Sequence, residues 1–200
     1  VAQIILNYIP QDALAIVTNW FNQYNFHLRI TKSRATKLGD FRPSLDHKPH
    51  RISVNGDLNP YHFLITLTHE VAHLVTWLKY KNRVLPHGIE WKNTYVELIN
   101  ELLMQVYFPI QLKEVLLRHI NNPKASTCSD PKLYKALKQF DLDNTRQFLE
   151  ELEEGSIFKL RKNRVFKKGV KRRSRFECVE IKSNKKYLIQ GHAEVIKLGD

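Results

Sequence analysis

The chain has 200 residues, 42% hydrophobic and 26% charged, with two cysteines and a formal net charge of +12. That length supports one substantial core with a small appendage, while the absence of a long apolar run argues against a transmembrane helix, and Cys128 and Cys178, with no CxxC pair, argue against a disulfide framework or a cysteine-rich zinc site and fit a reducing, cytoplasmic interior. The charge is uneven: residues 1–154 carry 18 Lys+Arg against 16 Asp+Glu, and residues 155–200 carry 14 against 4, which points to a polyanionic partner for the last quarter unless that surface is merely well solvated.

In chain order, residues 1–23 show helical spacing that ends near Asn25. This apolar stretch lacks a basic start and is interrupted by Pro10 and Asp12, so it is not expected to be a secretory signal. Residues 26–43, "FHLRITKSRATKLGDFRP", read as a hairpin, with Phe26, Leu28 and Ile30 alternating with His27, Arg29 and Thr31 and a turn at Leu38-Gly39-Asp40. A strand with Ile52 and Val54 on one side ends at Asn55-Gly56-Asp57. Asn59-Pro60 opens a helix that runs to about Lys79, because proline is preorganised for the first helical turn. A loop punctuated by Pro86 and Gly88 leads to a second long helix near 89–105, which Pro109 breaks, and "PIQLKEVLLRHI" and "DPKLYKALKQFD" give two shorter ones. "DNTRQFLEELEE" is a further helical candidate stopped by Gly155.

Beyond Gly155, aromatic and β-branched residues alternate with charges, with turn signals at Lys168-Gly169 and Ser183-Asn184, the pattern of three or four antiparallel strands. The order favours an α+β fold: a domain over 1–154 and a basic β module over 155–200. Lys167, Lys168, Lys171, Arg172, Arg173 and Arg175 cluster at one expected hairpin and are candidate nucleic-acid-binding residues, since such side chains contact phosphates with strong salt dependence. Phe166 and Phe176 are either bases' stacking partners or core of the small sheet.

The chemistry-bearing stretch is "THEVAHLVTW", residues 68–77. On a helical wheel Leu64, Leu67, Val71, Val75 and Leu78 form one stripe, and His69 and His73 lie on the other side with Thr66 and Thr76. Histidines four apart can share one Zn²⁺, and Glu70 then projects beside the ion, which is the mechanical content of H-E-x-x-H. A catalytic zinc site takes three protein ligands. His62 sits too far along the helix axis. His87, brought back by the loop at Pro86 and Gly88, competes for the third place with His47, His50 and an acidic residue such as Glu97. His62, Tyr61 and Tyr95 are candidate oxyanion donors, and the 26–43 segment offers an edge strand to an extended substrate.

"HEVAHLVTW" followed by "HGIEW" resembles the SprT-like metalloprotease family, which includes the Spartan proteases: the pattern H-E-x-x-H, spacer, H-G-x-x-[FW] is met by His69, Glu70, His73, His87, Gly88 and Trp91. "RISVNGDL" is similar to the family's short strand, and the resemblance covers roughly residues 5–105 and the placing of the basic tail. It implies a zincin-like core, one Zn²⁺ on His69, His73 and His87, Glu70 as the base in attack by a zinc-bound water, and protein substrates that include proteins associated with or crosslinked to DNA. With the cysteine usage and apolar pattern above, the expected place is the cytoplasm or the nucleoid and not a membrane. Many bacterial relatives carry a C-terminal zinc ribbon on four cysteines; here only Cys178 stands in that region, so the module would be a ribbon without its metal, held by Phe158, Val165, Phe166, Phe176, Tyr187, Leu188 and Val195. The alternative reading is a non-enzymatic nucleic-acid-binding protein with a structural or vestigial zinc site.

Overall fold

Pro10 splits the N-terminal stretch, because proline has no N–H to continue a helical ladder. A short α1 (Ala2–Ile5) is followed by a 3-10 turn at Gln11–Ala13 and then α2 (Leu14–Gln23). The structure is a computed structural model that describes residues 2–34, 36–45, 48–142, 145–160 and 163–199. Its fold is α+β, with two separate sheets.

The first sheet contains β1 (Phe26–Thr31), β2 (Gly39–Arg42) and β3 (His50–Asn55) in the order β1-β3-β2. The expected 26–43 hairpin does not form. β3 lies between its two arms, parallel to β1 and antiparallel to β2. Arg34 explains the detour. Its guanidinium bonds Asn55 Oδ1 at 2.8 Å and Ser53 Oγ at 3.1 Å, so the segment after β1 is pinned to β3 rather than folded back on β1. β2 is left as an edge strand.

Asn59 accepts the His62 N–H at 3.0 Å, Pro60 takes the first helical position, and α3 (Pro60–Tyr80) follows. From Phe63 to Leu67, and again through Val71, Ala72, Leu74 and Val75, this helix is buried on every side, as a central element must be. The wheel holds in part: Leu78, assigned to the stripe, is exposed, while Thr66 and Thr76 are buried. α4 (Ile89–Gln105) returns beside it, and α5 (Ile110–His119) and α6 (Pro131–Lys138) complete the unit. Asp130 caps α6 by accepting the N–H groups of Lys132 and Leu133, and its other oxygen lies 2.8 Å from His119 Nδ1.

The chain divides into two units, Val1–Asp141 and Leu142–Asp200. This boundary does not coincide with the composition change at Gly155, because Leu149 and Leu152 belong to the second core. The helix expected over "DNTRQFLEELEE" is absent among its described residues: β4 (Gln147–Phe148) pairs with β9 (Glu194–Lys197), and a 3-10 turn at Leu149–Glu151 follows. With β5 (Ile157–Lys159), β6 (Val165–Arg172), β7 (Arg175–Glu180) and β8 (Lys186–Gln190) they form a six-stranded sheet ordered β4-β9-β5-β6-β7-β8. Lys168-Gly169 is not a turn. It lies inside β6, where a register shift between Lys168 and Lys171 brings Gly169 against the Glu177 carbonyl; a Cβ there would stand 2.6 Å from that oxygen. Leu188, expected in this core, is exposed, whereas Phe158, Phe166, Phe176 and Val195 are buried with Cys178.

Candidate metal centre

Three imidazoles converge where α3 meets the start of α4. His69 and His73 are one helical turn apart, and Nε2 of one lies 3.2 Å from Nε2 of the other. His87 arrives from the loop: Lys81 ends α3 with φ 54°, Gly88 N–H bonds Leu85 O at 2.9 Å, and His87 itself sits at φ 58°, in the left-handed region. This tight reversal carries its Nε2 to 3.0 Å from His73 and 3.2 Å from His69. Trp91, fully buried on the first turns of α4, forms the wall behind them, its ring 4.6, 5.3 and 4.7 Å from His69, His73 and His87. Tyr95 stacks on Trp91 at 5.1 Å.

The arrangement is incomplete as hydrogen bonding. Each Nε2 of a neutral imidazole is either a donor or an acceptor, so among three in mutual reach at least two are alike and face each other without a bond. Protonation offers no relief: burial lowers all three, with neighbouring His73, His87 and His119 adding to the effect at His69, and His73 falls to about 3. Three lone pairs on one cation resolve the conflict. At the usual Zn–N length of about 2.0–2.1 Å, three tetrahedrally placed nitrogens stand roughly 3.3–3.4 Å apart, close to the 3.0–3.2 Å found here. The donor set therefore fits Zn²⁺. Among the described residues these are the three His, Cys, Asp or Glu side chains whose ligand atoms gather in this way.

Glu70 is buried on the next position of α3. β2 lies directly against it: a Cβ on Gly39 would overlap Glu70 Oε1, and the Phe41 N–H bonds the carboxylate. Burial, and then Asp40, push this carboxyl up to about 8, against the lowering effects of Arg34, Lys37 and the Phe41 N–H. The orientation of β2 follows from register. Asn55 N–H bonds Leu38 O, so by antiparallel alternation residues 40 and 42 bond β3, while the N–H and C=O of Gly39 and Phe41 turn to the open edge.

The other candidates lie elsewhere. His50 packs edge-on against Trp77 at 4.7 Å and accepts the Ser44 N–H on Nδ1. Glu97 is exposed on α4, and His47 lies outside the described residues. His62 is buried with Nε2 3.1 Å from Thr127 Oγ1, and Tyr61 packs on Phe108 and Phe140. Tyr95 supports the wall behind His69. Nothing local to Gly39, whose neighbours have the pattern of a turn, points to its contact with Glu70.

In the second unit Lys167, Lys171, Arg172, Arg173 and Arg175 are exposed around the β6–β7 hairpin. Lys168 is a correction. It is 4% exposed, its ammonium bonds the Leu152 carbonyl with Glu150 O at 3.5 Å, and it lies 4.1 Å over the Phe176 ring. It points inward because it shares the inner face of β6 with Phe166. Phe166 and Phe176 are core residues.

A comparison with protein-family models matches residues 13–117 to the SprT-like family. No curated protein and no solved structure matches the chain.

Proposed function

The chain belongs to the SprT-like family, and on that premise we propose that it is a zinc-dependent metallopeptidase with a zincin-like core in the first unit. His69, His73 and His87 would hold one Zn²⁺ through Nε2. When bound, zinc supplies a Lewis acid that polarises a carbonyl and acidifies a water towards a pKa of about 7. Glu70, in the ionised form that the charge of the bound cation would favour, takes the proton of the attacking water and returns it to the leaving amine. Its carboxylate is held for this by the Phe41 N–H and by the close approach of Gly39. The remaining outward groups of β2, the Gly39 N–H and the carbonyls of Gly39 and Phe41, give an extended substrate an edge to pair with, beside Glu70.

The observation that carries this reading is the convergence of three Nε2 atoms within 3.2 Å, one position away from a buried carboxylate. A purely structural zinc site has no use for that carboxylate. The substrates are proposed to be proteins, including those bound or crosslinked to DNA in the cytoplasm. Support comes from the family and from the exposed Lys167, Lys171, Arg172, Arg173 and Arg175. No helix among the described residues is long and apolar enough to cross a membrane.

The test compares wild type with Glu70→Gln for bound zinc and for DNA-stimulated cleavage of a DNA-associated protein. The variant is expected to retain zinc and to lose roughly 10²–10⁴-fold in cleavage. Equal cleavage by both removes the peptidase reading. Zinc and DNA binding with no cleavage by either favours the second reading, a nucleic-acid-binding protein with a structural ion, for which the basic β6–β7 hairpin is the supporting feature.

A further inference from the structure

The two faces of the first sheet differ sharply. Phe26, Ile52 and Val54 point into the core, and the alternate residues His27, Arg29, Arg51 and Arg42 are exposed. The register sets His27, Arg51 and Arg42 side by side in one row across the three strands, with Arg29, Ser53 and Asp40 in the next. Neighbours within a row are about 4.8 Å apart, and successive rows about 6.7 Å. Arg34 joins the same face through its bond to Ser53 Oγ. Asp40 is the acid of these rows, and it is engaged with Lys37 at 2.8 Å and Arg42 at 2.7 Å. Among the described residues no carboxylate pairs with Arg29 or Arg51.

This is a segregation of charge that the overall composition hides. Residues 26–55 hold seven Lys+Arg against two Asp+Glu, whereas the rest of residues 1–154 hold 11 against 14. Arginines placed directly opposite one another weaken a strand pair, so Arg42 beside Arg51 does nothing for the sheet itself. We propose that this face is a second anion-binding surface, one that takes the phosphate backbone of nucleic acid. Guanidinium groups present fixed forks to phosphate oxygens, and the face carries no Phe, Tyr or Trp, its one ring being the His27 imidazole, so it tracks backbone with little reading of sequence. An acidic protein partner would call for an apolar centre to its interface, and a membrane for apolar side chains to insert; the exposed side chains of these rows are polar throughout.

The surface belongs to the unit with the imidazole cluster. One four-residue strand, β2, carries Arg42 in these rows and sets Gly39 and Phe41 against Glu70. The proposal does not rest on the peptidase reading, since a chain that cleaves nothing would bind in the same way.

The experiment measures fluorescence anisotropy of a labelled oligonucleotide, single-stranded and duplex, titrated with the full chain over a series of salt concentrations. The Arg29→Glu/Arg51→Glu variant is expected to bind roughly tenfold or more weaker and to lower the slope of log K against log salt by about 1.5. That loss adds to the one caused by Lys171→Glu/Arg172→Glu/Arg173→Glu. Arg29→Gln/Arg51→Gln, read at unchanged melting temperature and zinc content, gives a smaller loss in the same direction, so a folding defect in the first variant does not decide the matter. Parental affinity and slope in the glutamine variant overturn the proposal. So does polyglutamate that competes as well as DNA at equal charge, or a glutamine variant that loses binding to phosphatidylserine vesicles while keeping its affinity for DNA.

Discussion

Two clusters of polar side chains, one in each unit, are drawn out of water in opposite ways. In the second, the Lys168 ammonium is taken out of water and given the carbonyls of Leu152 and Glu150 and the face of Phe176, so the chain itself supplies every partner. In the first, three imidazoles are brought to 3.0–3.2 Å and given only one another, which leaves at least one pair unsatisfied. Polar groups that are complete within the chain hold a fold together, and groups that the chain leaves incomplete mark where something else must bind. Both are titratable side chains drawn out of water, and inspection of residue type alone does not separate them.

Removing an imidazole separates the two kinds of site most directly. His73→Ala is expected to reduce bound zinc, measured by mass spectrometry, from about one ion per chain to near zero and to reduce cleavage to background. Chelation of the wild type is expected to lower the melting temperature of the first unit, since a ligand at a thousandfold excess over its Kd contributes about 4 kcal/mol; zinc binding unaffected by the substitution would remove the incomplete site. Next in size is Gly39→Ala. The three atoms nearest to the added methyl all belong to the Glu70 side chain, so cleavage should fall on the order of a hundredfold while zinc content stays at the wild-type level. A parallel loss of both would show that Gly39 supports the whole centre.

The complete site makes a smaller claim. Lys168→Met strands the carbonyls it served and should destabilise the second unit by about 1–3 kcal/mol in denaturant unfolding, with zinc content unchanged. Stability equal to wild type would mean that the ammonium contributes nothing net. The smallest effect concerns Asp130. Burial alone would raise its carboxyl, but the bond with His119 and the N–H groups of Leu133 and Lys132 outweigh burial and hold it below the ordinary value. A depressed carboxylate stabilises fully above its unfolded pKa of about 3.9 and loses that contribution as pH falls through the folded value. Asp130→Asn should therefore flatten the acid side of the stability profile below about pH 4 and lower stability at neutral pH, both readable from unfolding curves.

What was legible in the sequence was local. Asn59-Pro60 announced α3, and the four-residue spacing of His69 and His73 put both on one face, while Pro86 and Gly88 marked the loop that returns His87, although the left-handed residue there is His87 and not the glycine. What was not legible depends on partners far along the chain. The parallel pairing of β1 with β3 is secured by Arg34 reaching Asn55 and Ser53. Gly39 looks like a turn residue until Glu70 is placed against it. Lys168, next to a glycine in a basic run, looks like a solvated turn; only the register of β6 with β7 shows which way it faces.

The burial of α3 on all sides has a consequence for how the centre is loaded. Its middle turns are held by Phe63, Leu64, Ile65, Leu67, Val71, Ala72 and Leu74, each at 0% exposure, and none of that packing involves the imidazole nitrogens. Small zinc-dependent modules are disordered until the ion arrives and spend much of its affinity on folding. The apolar packing of α3 uses no metal ligand, so the chelated chain is expected to keep its helical signal in circular dichroism; loss of that signal on chelation would place it with those modules.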